Sequence, residues 1–213
     1  MPSTDSRPPA PAEGTPPDAP RTGYDRGRFE GSRRGRRMNR RERAVVGRYL
    51  AELPAGRLVL DVPAGEGRFT DLVVGHGHRS VSVDLDRERI LRASVRLPSR
   101  RVPSVRADVA RLPLGDDSVD AALCIRLLHH LEEEQILDVL RELRRVAHRA
   151  CVTFYSSRSW RVLKRRIRGK RPRGKPRPAR RLEELSRRAG WGSCRRRPAV
   201  SFLPSLQFLR LSR

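Results

Sequence analysis

Acidic residues beside a glycine-rich loop form the group with the clearest chemical potential in this sequence. Asp61 stands near the end of the apolar run 58–62, and Gly65, Glu66 and Gly67 follow it. Glycines let a loop bring its backbone amides close to a ligand. Carboxylates at the same place would repel a pyrophosphate. The pattern therefore favours a ligand that carries positive charge and no phosphate there, over the dinucleotide of a dehydrogenase.

Two further aspartates follow predicted strands in the same way. Asp84 ends the run 80–85, and Asp108 ends the run 102–109. In open parallel sheets, ligands bind at the carboxyl ends of the strands. The sequence therefore predicts that these aspartates meet the glycine loop at one edge of a sheet.

The elements that must position these residues alternate between strand and helix. Predicted helices begin at Asn39 and lie within 67–76, 86–97, 132–147 and 180–190. Predicted strands lie within 57–62, 80–85, 102–109, 116–128, 149–155, 193–202 and 206–213. This order predicts an α/β fold: a doubly wound, Rossmann-like, mainly parallel seven-stranded sheet with helices on both faces and its last two strands antiparallel.

Composition divides the 213 residues into a tail and a domain. Residues 1–37 are rich in Pro, Gly, Ser and Arg and predict a disordered tail, which leaves 38–213 as one domain. The net charge of +24 is concentrated near the C-terminus, because residues 157–213 hold 20 Lys or Arg and 2 Asp or Glu. Within that region, the segment 156–181 has 13 basic residues and no acid. We name this segment the basic lid, since it follows the fifth strand and is expected at the ligand-binding edge.

Several classes of protein are disfavoured by the same inspection. No apolar run approaches the roughly 20 residues that span a bilayer, and the N-terminus lacks the apolar core of a secretory signal, so a cytoplasmic location is expected. Three widely spaced cysteines predict buried, reduced thiols. The histidine pairs have no further ligand at metal spacing, so no metal site is expected.

Four motifs in order resemble the class I S-adenosylmethionine (SAM)-dependent methyltransferases, within them most closely the small single-domain type that includes the quinone-biosynthesis C-methyltransferases. The motifs are VLDVPAGEGRF, SVDLDRERIL, ADVARLPLGDDSVDAAL and LLHHL. The resemblance runs from about Arg41 to Phe154. Three positions depart from the family pattern: Pro63 replaces a glycine, Asp86 a small hydroxyl residue and Val119 an aromatic residue.

The resemblance implies SAM as cofactor and assigns roles along the strand ends. Asp61 with the backbone of Gly65 and Gly67 would hold the methionyl ammonium and carboxylate. Asp84 would accept hydrogen bonds from both ribose hydroxyls. The adenine site and the floor of the cleft would come from the remaining matched residues: Asp108 and Val109 at the adenine amino group, Leu85 and Leu112 on the ring faces, Ile125 and Arg126 beneath the cofactor.

The residues that would serve the methyl acceptor are less defined by the sequence. His129 and His130 are the candidates for a catalytic base nearest the cleft, but packing and capping at the start of the following helix is the favoured interpretation of this pair. No NPPY-type tetrapeptide follows the fourth strand. A non-catalytic protein that keeps the fold remains an alternative to an enzyme.

The basic lid admits three interpretations. It is a solvated flexible segment, a surface helix that docks on anionic lipid through Trp160, or a clamp on RNA phosphates. Trp160, Leu163 and Ile167 at helical spacing predict an amphipathic helix in its first half. The expected acceptor is therefore a small or lipid-like, anionic molecule, with peripheral contact at the inner membrane surface, and RNA is the alternative.

Overall fold

The computed structural model describes residue 29 and residues 31–96, 102–171, 174–198 and 206–213. Across these residues, seven strands form one sheet in the order β3-β2-β1-β4-β5-β7-β6. The strands are β1 (Leu58–Asp61), β2 (Arg79–Asp84), β3 (Ser104–Arg106), β4 (Val119–Cys124), β5 (Ala147–Tyr155), β6 (Ser193–Pro198) and β7 (Leu206–Ser212). The helices are α1 (Arg33–Ala51), α2 (Thr70–Gly75), α3 (Arg87–Arg96), α4 (Glu133–Val146), α5 (Trp160–Ile167) and α6 (Ala179–Arg188).

The sheet has the predicted mixture of directions. The pairs from β3 through β5 are parallel, whereas β7 runs antiparallel to both β5 and β6. The predicted Rossmann-like architecture, including the closing hairpin, is therefore confirmed. Carboxyl ends of β1 to β4 consequently meet at one edge, where the candidate site residues are expected.

Helices cover both faces because the central strands are apolar on both sides. Neighbouring residues of β1 separate in this way: Val59 packs with α1 and α2, and Leu60 packs with α4 and α6. Ala121 and Ala122 of β4 divide between the same two clusters. Successive side chains along a strand point to opposite faces, so a sheet that is buried on both faces needs apolar residues at successive positions.

Two boundaries differ from the sequence prediction. Helix α1 begins at Arg33, inside the segment predicted to be disordered, because Ser32 caps it and accepts a hydrogen bond from the Gly35 amide at 3.0 Å. Strand β3 spans only Ser104–Arg106, shorter than the predicted run 102–109. The prediction of disorder for residues 1–28 and 30, and the strand predicted over 199–202, lie outside the described residues.

The predicted thiols and the predicted lid helix are found. Cys124 and Cys151 are buried, Cys194 is half-buried, and all three are free. In the basic lid, α5 is capped by Ser159, whose hydroxyl accepts a hydrogen bond from the Val162 amide at 3.3 Å. Among the described helices, none combines the length and the apolar character that crossing a bilayer requires.

Candidate functional site

A cleft of about 370 Å³ lies at the carboxyl ends of β1, β2 and β4. It is enclosed by the glycine loop after β1, the end of β2 and the turn after β4. The residues that line it are Phe29, Pro63, Ala64, Gly65, Arg68, Phe69, Asp84, Arg89, Ile125, Arg126, Leu127, His129 and His130. The fold thus brings six predicted site residues to one cavity: Gly65, Asp84, Ile125, Arg126 and, as the weaker candidates, His129 and His130.

The glycine loop needs its glycines for conformational reasons. Gly65 and Gly67 have φ values of 59° and 76°, in the left-handed region that residues with a Cβ rarely adopt. The Gly65 amide donates to Asp84 Oδ2 at 2.8 Å, which ties the loop to the end of β2. Pro63, which supplies no amide donor, lines the cleft after a cis peptide bond.

Asp61 lies beneath this loop in an almost closed environment. Its exposed fraction is 1%, and the Thr70 hydroxyl donates to its Oδ2 at 2.7 Å. Thr70 also shares a hydrogen bond of 2.9 Å with the Ser82 hydroxyl. Burial raises the pKa of the Asp61 carboxyl to about 7, against the opposing effect of the Thr70 hydrogen bond. A cation placed beside this carboxylate would restore its ionisation.

Asp84, at the end of β2, and Asp86, just after it, have different roles: one faces the cleft and the other caps α3. Asp86 caps α3, since its Oδ1 accepts from the amides of Glu88 at 2.9 Å and Arg89 at 3.2 Å. Asp84 is buried and faces the cleft, with Oδ1 accepting from the Asp86 amide at 2.9 Å. Asp84 therefore does not cap α3, and its carboxylate remains available as an acceptor on the cleft wall.

The predicted adenine residues lie outside the lining of this cleft. Asp108 is exposed and its Oδ1 accepts from the Ala110 amide at 2.9 Å, which forms a local turn. Leu85 is 62% exposed, and Val109 is half-buried beside the core. Leu112 belongs to the core itself, and its amide donates to Glu142 at 2.7 Å. The structure places this group beyond the β2 end of the cleft, next to the end of β3.

The turn after β4 supplies the opposite end of the cleft. Ile125 is buried, and Arg126 adopts a φ of 66°, which is unusual for a residue with a side chain. His129 is buried and His130 exposed; their rings lie 4.0 Å apart between centroids. The ring of His129 also meets Tyr155 edge-on at 4.2 Å. These contacts agree with packing and do not by themselves select a base.

Sequence inspection missed a charged cluster at this end. Glu42 of α1 is 2% exposed and accepts from Arg68 Nη1 at 3.0 Å and from Arg126 Nε at 3.0 Å. The Phe29 ring lies under both guanidinium groups, at 4.0 Å from Arg68 and 5.1 Å from Arg126. We call Glu42, Arg68 and Arg126 the guanidinium cluster. No sequence signal indicates that these three residues are in contact, because they are far apart in an arginine-rich chain. Glu42, the one acidic residue of α1, was the only indication.

Comparison with known proteins decides what kind of domain carries this cleft. Residues 60–152 match the family model described as "Methyltransferase domain". Over these residues the chain is similar to a methyltransferase domain. Its fold agrees with that of magnesium protoporphyrin IX methyltransferase from Synechocystis with bound SAH, at a TM-score of 0.70 and 15% identity over 89% of this chain and 97% of that one.

Two curated relatives extend the comparison. A probable S-adenosylmethionine-dependent methyltransferase of Mycolicibacterium smegmatis is 34% identical over 94 residues, which are 44% of this chain and 36% of the relative. A tRNA (carboxymethyluridine(34)-5-O)-methyltransferase of Xenopus tropicalis is 31% identical over 107 residues, 47% of this chain and 15% of the relative. The chain thus spans about a third or less of the length of these relatives.

The cleft fits SAM by the chemistry of its donors. The ligand combines a diol, which suits the paired oxygens of Asp84, with an ammonium group, which suits the buried Asp61 carboxylate. Gly65, at a positive φ, lines the same space. Among the described residues, no group of three or more His, Cys, Asp or Glu is arranged to hold a metal ion.

Proposed function

We propose that this chain is a SAM-dependent methyltransferase that transfers a methyl group to a small or lipid-like, anionic acceptor. The observation that carries the proposal is the order of the strand ends. Along β3-β2-β1-β4, the chain presents Asp108, Asp84, the loop with Asp61, and then Arg126. The first three of these positions follow the order of the groups in an extended ligand that runs from adenine through ribose to a charged methionyl group, and Arg126 comes next to them.

Each end of the cleft then has a defined role in the proposal. Asp84 accepts hydrogen bonds from the ribose hydroxyls while it holds the Gly65 amide. Asp61 balances the methionyl ammonium, and the backbone of Gly65 and Gly67 approaches the methionyl carboxylate. Asp108 and Val109 receive the adenine edge at the end of β3, with Leu85 over the ring. Ile125 forms the floor beneath the sulfonium.

The chemistry asks little of the protein besides alignment. SAM supplies a methyl carbon on a positively charged sulfur that leaves as a neutral thioether when the acceptor atom takes the methyl group. The chain aligns the acceptor and excludes water, which accounts for a large part of the rate enhancement in such displacements. Phe29 and Phe69, both buried, form apolar walls for that purpose. His129 and His130 are placed to take a proton only where the acceptor has one to lose.

The basic lid supports a lipid-like acceptor. Helix α5 buries Val162 against the domain, whereas Trp160, Leu163 and Ile167 are 55%, 48% and 72% exposed. Large exposed apolar side chains beside a dense set of basic residues are typical of a helix that lies in a membrane interface. The lid returns to the cleft, because the Lys175 amide donates to the His129 carbonyl at 2.7 Å. A membrane-bound acceptor would therefore meet the β4 end of the cleft.

Calorimetric titration with SAM and with S-adenosylhomocysteine (SAH) tests the cofactor assignment. Asp84→Ala is expected to weaken both by about 1–3 kcal/mol, the usual penalty for unpaired polar groups. Asp86→Ala is the matched control. It removes a carboxylate from the same turn, but the oxygen of that carboxylate accepts hydrogen bonds from the amides of α3. Failure of the wild type to bind either compound would reject the proposal.

Vesicle binding tests the acceptor class. Vesicles containing phosphatidylglycerol should bind the wild type and blue-shift the emission of Trp160, while the buried Trp191, 2% exposed, acts as an internal reference. Trp160→Ala should weaken the binding, and vesicles of phosphatidylcholine alone should bind poorly. The tRNA-modifying relative makes RNA the second candidate. Equal vesicle binding by Trp160→Ala, together with RNA affinity that falls steeply with salt, would favour RNA and reject the lipid assignment.

A further inference from the structure

Arg126 is held in an unusual way at the end of β4. Its backbone has a φ of 66°, in the left-handed region that strains a residue with a Cβ. The Arg126 amide donates to the Thr153 hydroxyl at 2.6 Å, which fixes this backbone against β5. Such strain persists only where the surroundings enforce it, and it concentrates at functional sites.

The guanidinium group of Arg126 is oriented by two partners on different elements. Nε and Nη2 donate to the two oxygens of Glu42, and Nη1 donates to the Tyr155 hydroxyl at 2.9 Å. A guanidinium has five N–H donors. Two therefore have no acceptor within the part of the chain that the structure describes. The side chain is 11% exposed and lines the cleft, so the remaining donors are held at its wall.

The guanidinium cluster lies largely out of solvent. The side chains are 2%, 8% and 11% exposed for Glu42, Arg68 and Arg126. An anionic group placed in the cleft beside Arg126 would supply acceptors for its two remaining donors, in the planar arrangement that oxyanions match.

The order of the strands indicates which ligand brings that anion. Under the proposed function, on which this inference rests, the cofactor lies across the ends of β3, β2 and β1. Arg126 follows the next strand, β4, which lies on the opposite side of β1 from β2 and β3. We propose that Arg126, positioned by Glu42 and Tyr155, binds a carboxylate or phosphate group of the methyl acceptor. The enzyme would then select acceptors in which an oxyanion lies close to the methylated atom.

Small matched probes test this proposal without the natural acceptor. Benzoate, phenyl phosphate and the neutral benzamide are titrated into the full-length protein, with and without saturating SAH, and followed by saturation-transfer NMR. At least one of the two anions is expected to bind the wild type. Which of them binds more tightly shows whether the site prefers a carboxylate or a phosphate group. Arg126→Gln should weaken that anion about tenfold or more, the loss expected for a charge-assisted hydrogen bond, and should leave benzamide unchanged.

Two controls separate this site from general electrostatics and from misfolding. Arg89→Gln removes a positive charge from the β2 side of the same cleft and should leave anion binding within about twofold. Arg126→Lys keeps the charge but loses the planar donors, and intermediate binding is expected. Circular dichroism identifies a variant that has lost its fold, in which case the lysine variant decides. Equal anion binding by Arg126→Gln and the wild type, or no anion binding by the wild type, overturns the proposal.

The cofactor probes make the remaining outcomes distinguishable. SAH and 5′-methylthioadenosine, which lacks the amino-acid group, are titrated against wild type and Arg126→Gln. Equal SAH binding by both proteins supports an acceptor site. A selective loss of SAH affinity in Arg126→Gln would assign Arg126 to the methionyl carboxylate and overturn the inference. If the wild type does not bind SAH, the proposed function is rejected. The anion titrations without SAH would still decide whether Arg126 binds anions.

Discussion

Replacing Asp61 with asparagine is expected to stabilise the cofactor-free protein above neutral pH. Asparagine keeps the shape of the side chain, and its Oδ1 can still accept the hydrogen bond from Thr70. The substitution removes only the ionisable group. Its effect must therefore depend on pH, because the pKa of the Asp61 carboxyl rises to about 7 in the fully buried site.

The size of the effect follows from the two pKa values of Asp61. The folded state, with a pKa of about 7, holds its proton more tightly than the unfolded state, with the ordinary value of 3.8. The contribution of Asp61 to wild-type stability is therefore fully present below about pH 3.8 and is lost as the pH rises through about 7. At 1.36 kcal/mol per pKa unit, the loss is about 2 kcal/mol at pH 5 and about 4 kcal/mol at pH 8. The Asp61→Asn variant does not undergo this loss, because asparagine does not ionise.

Urea unfolding at several values between pH 5 and pH 8 measures the prediction. The free energy of unfolding of Asp61→Asn minus that of wild type should increase by about 2 kcal/mol over this range. Any constant cost of burying the amide cancels from that slope. Asp138→Asn, at an exposed position of α4, removes the same charge and should follow the wild type. Parallel curves for Asp61→Asn and wild type would refute the argument that burial suppresses ionisation of Asp61.

Two further predictions concern the architecture that supports the cleft. Gly174→Ala should release the basic lid from the turn after β4, because φ is 71° and a Cβ would lie 2.7 Å from the His129 carbonyl oxygen. The rate of hydrogen exchange of the Lys175 amide should therefore rise. Gly169→Ala, where φ is 64° and the space around the Cβ is open, is the control and should leave that amide protected. Phe208→Ala should lower the free energy of unfolding by about 3–5 kcal/mol, since Phe208 is 0% exposed at the centre of β7, and a loss below about 1 kcal/mol in urea titration would contradict this packing.

The parts of the fold that the sequence predicted are those with a local signal. Alternating apolar runs specify β1, β2 and β4, and glycines with an aspartate specify the loop after β1. Two final strands were also predicted, and they correspond to β6 and β7. These features depend on neighbours along the chain, so periodicity and turn chemistry suffice to find them.

The parts that the sequence did not predict depend on contacts between distant segments. Glu42 and Arg126 are 84 positions apart, and nothing in their surroundings marks them as partners. The beginning of α1 was missed because its first residues are arginines and glycine, without an apolar stripe. Two aspartates after β2 look equivalent in the sequence, and only the geometry assigns the helix cap to Asp86.

The position of β7 between β5 and β6 has a consequence for synthesis on the ribosome. Strand β6 leaves the ribosome before β7, yet its described partner in the sheet is β7. Until residues 206–212 emerge, β5 presents an open edge of unpaired amides and carbonyls, the kind of edge that recruits other chains. The nascent chain is therefore vulnerable to aggregation from the emergence of Tyr155 until that of Leu206, and a chaperone that covers the β5 edge would have its greatest effect in this interval.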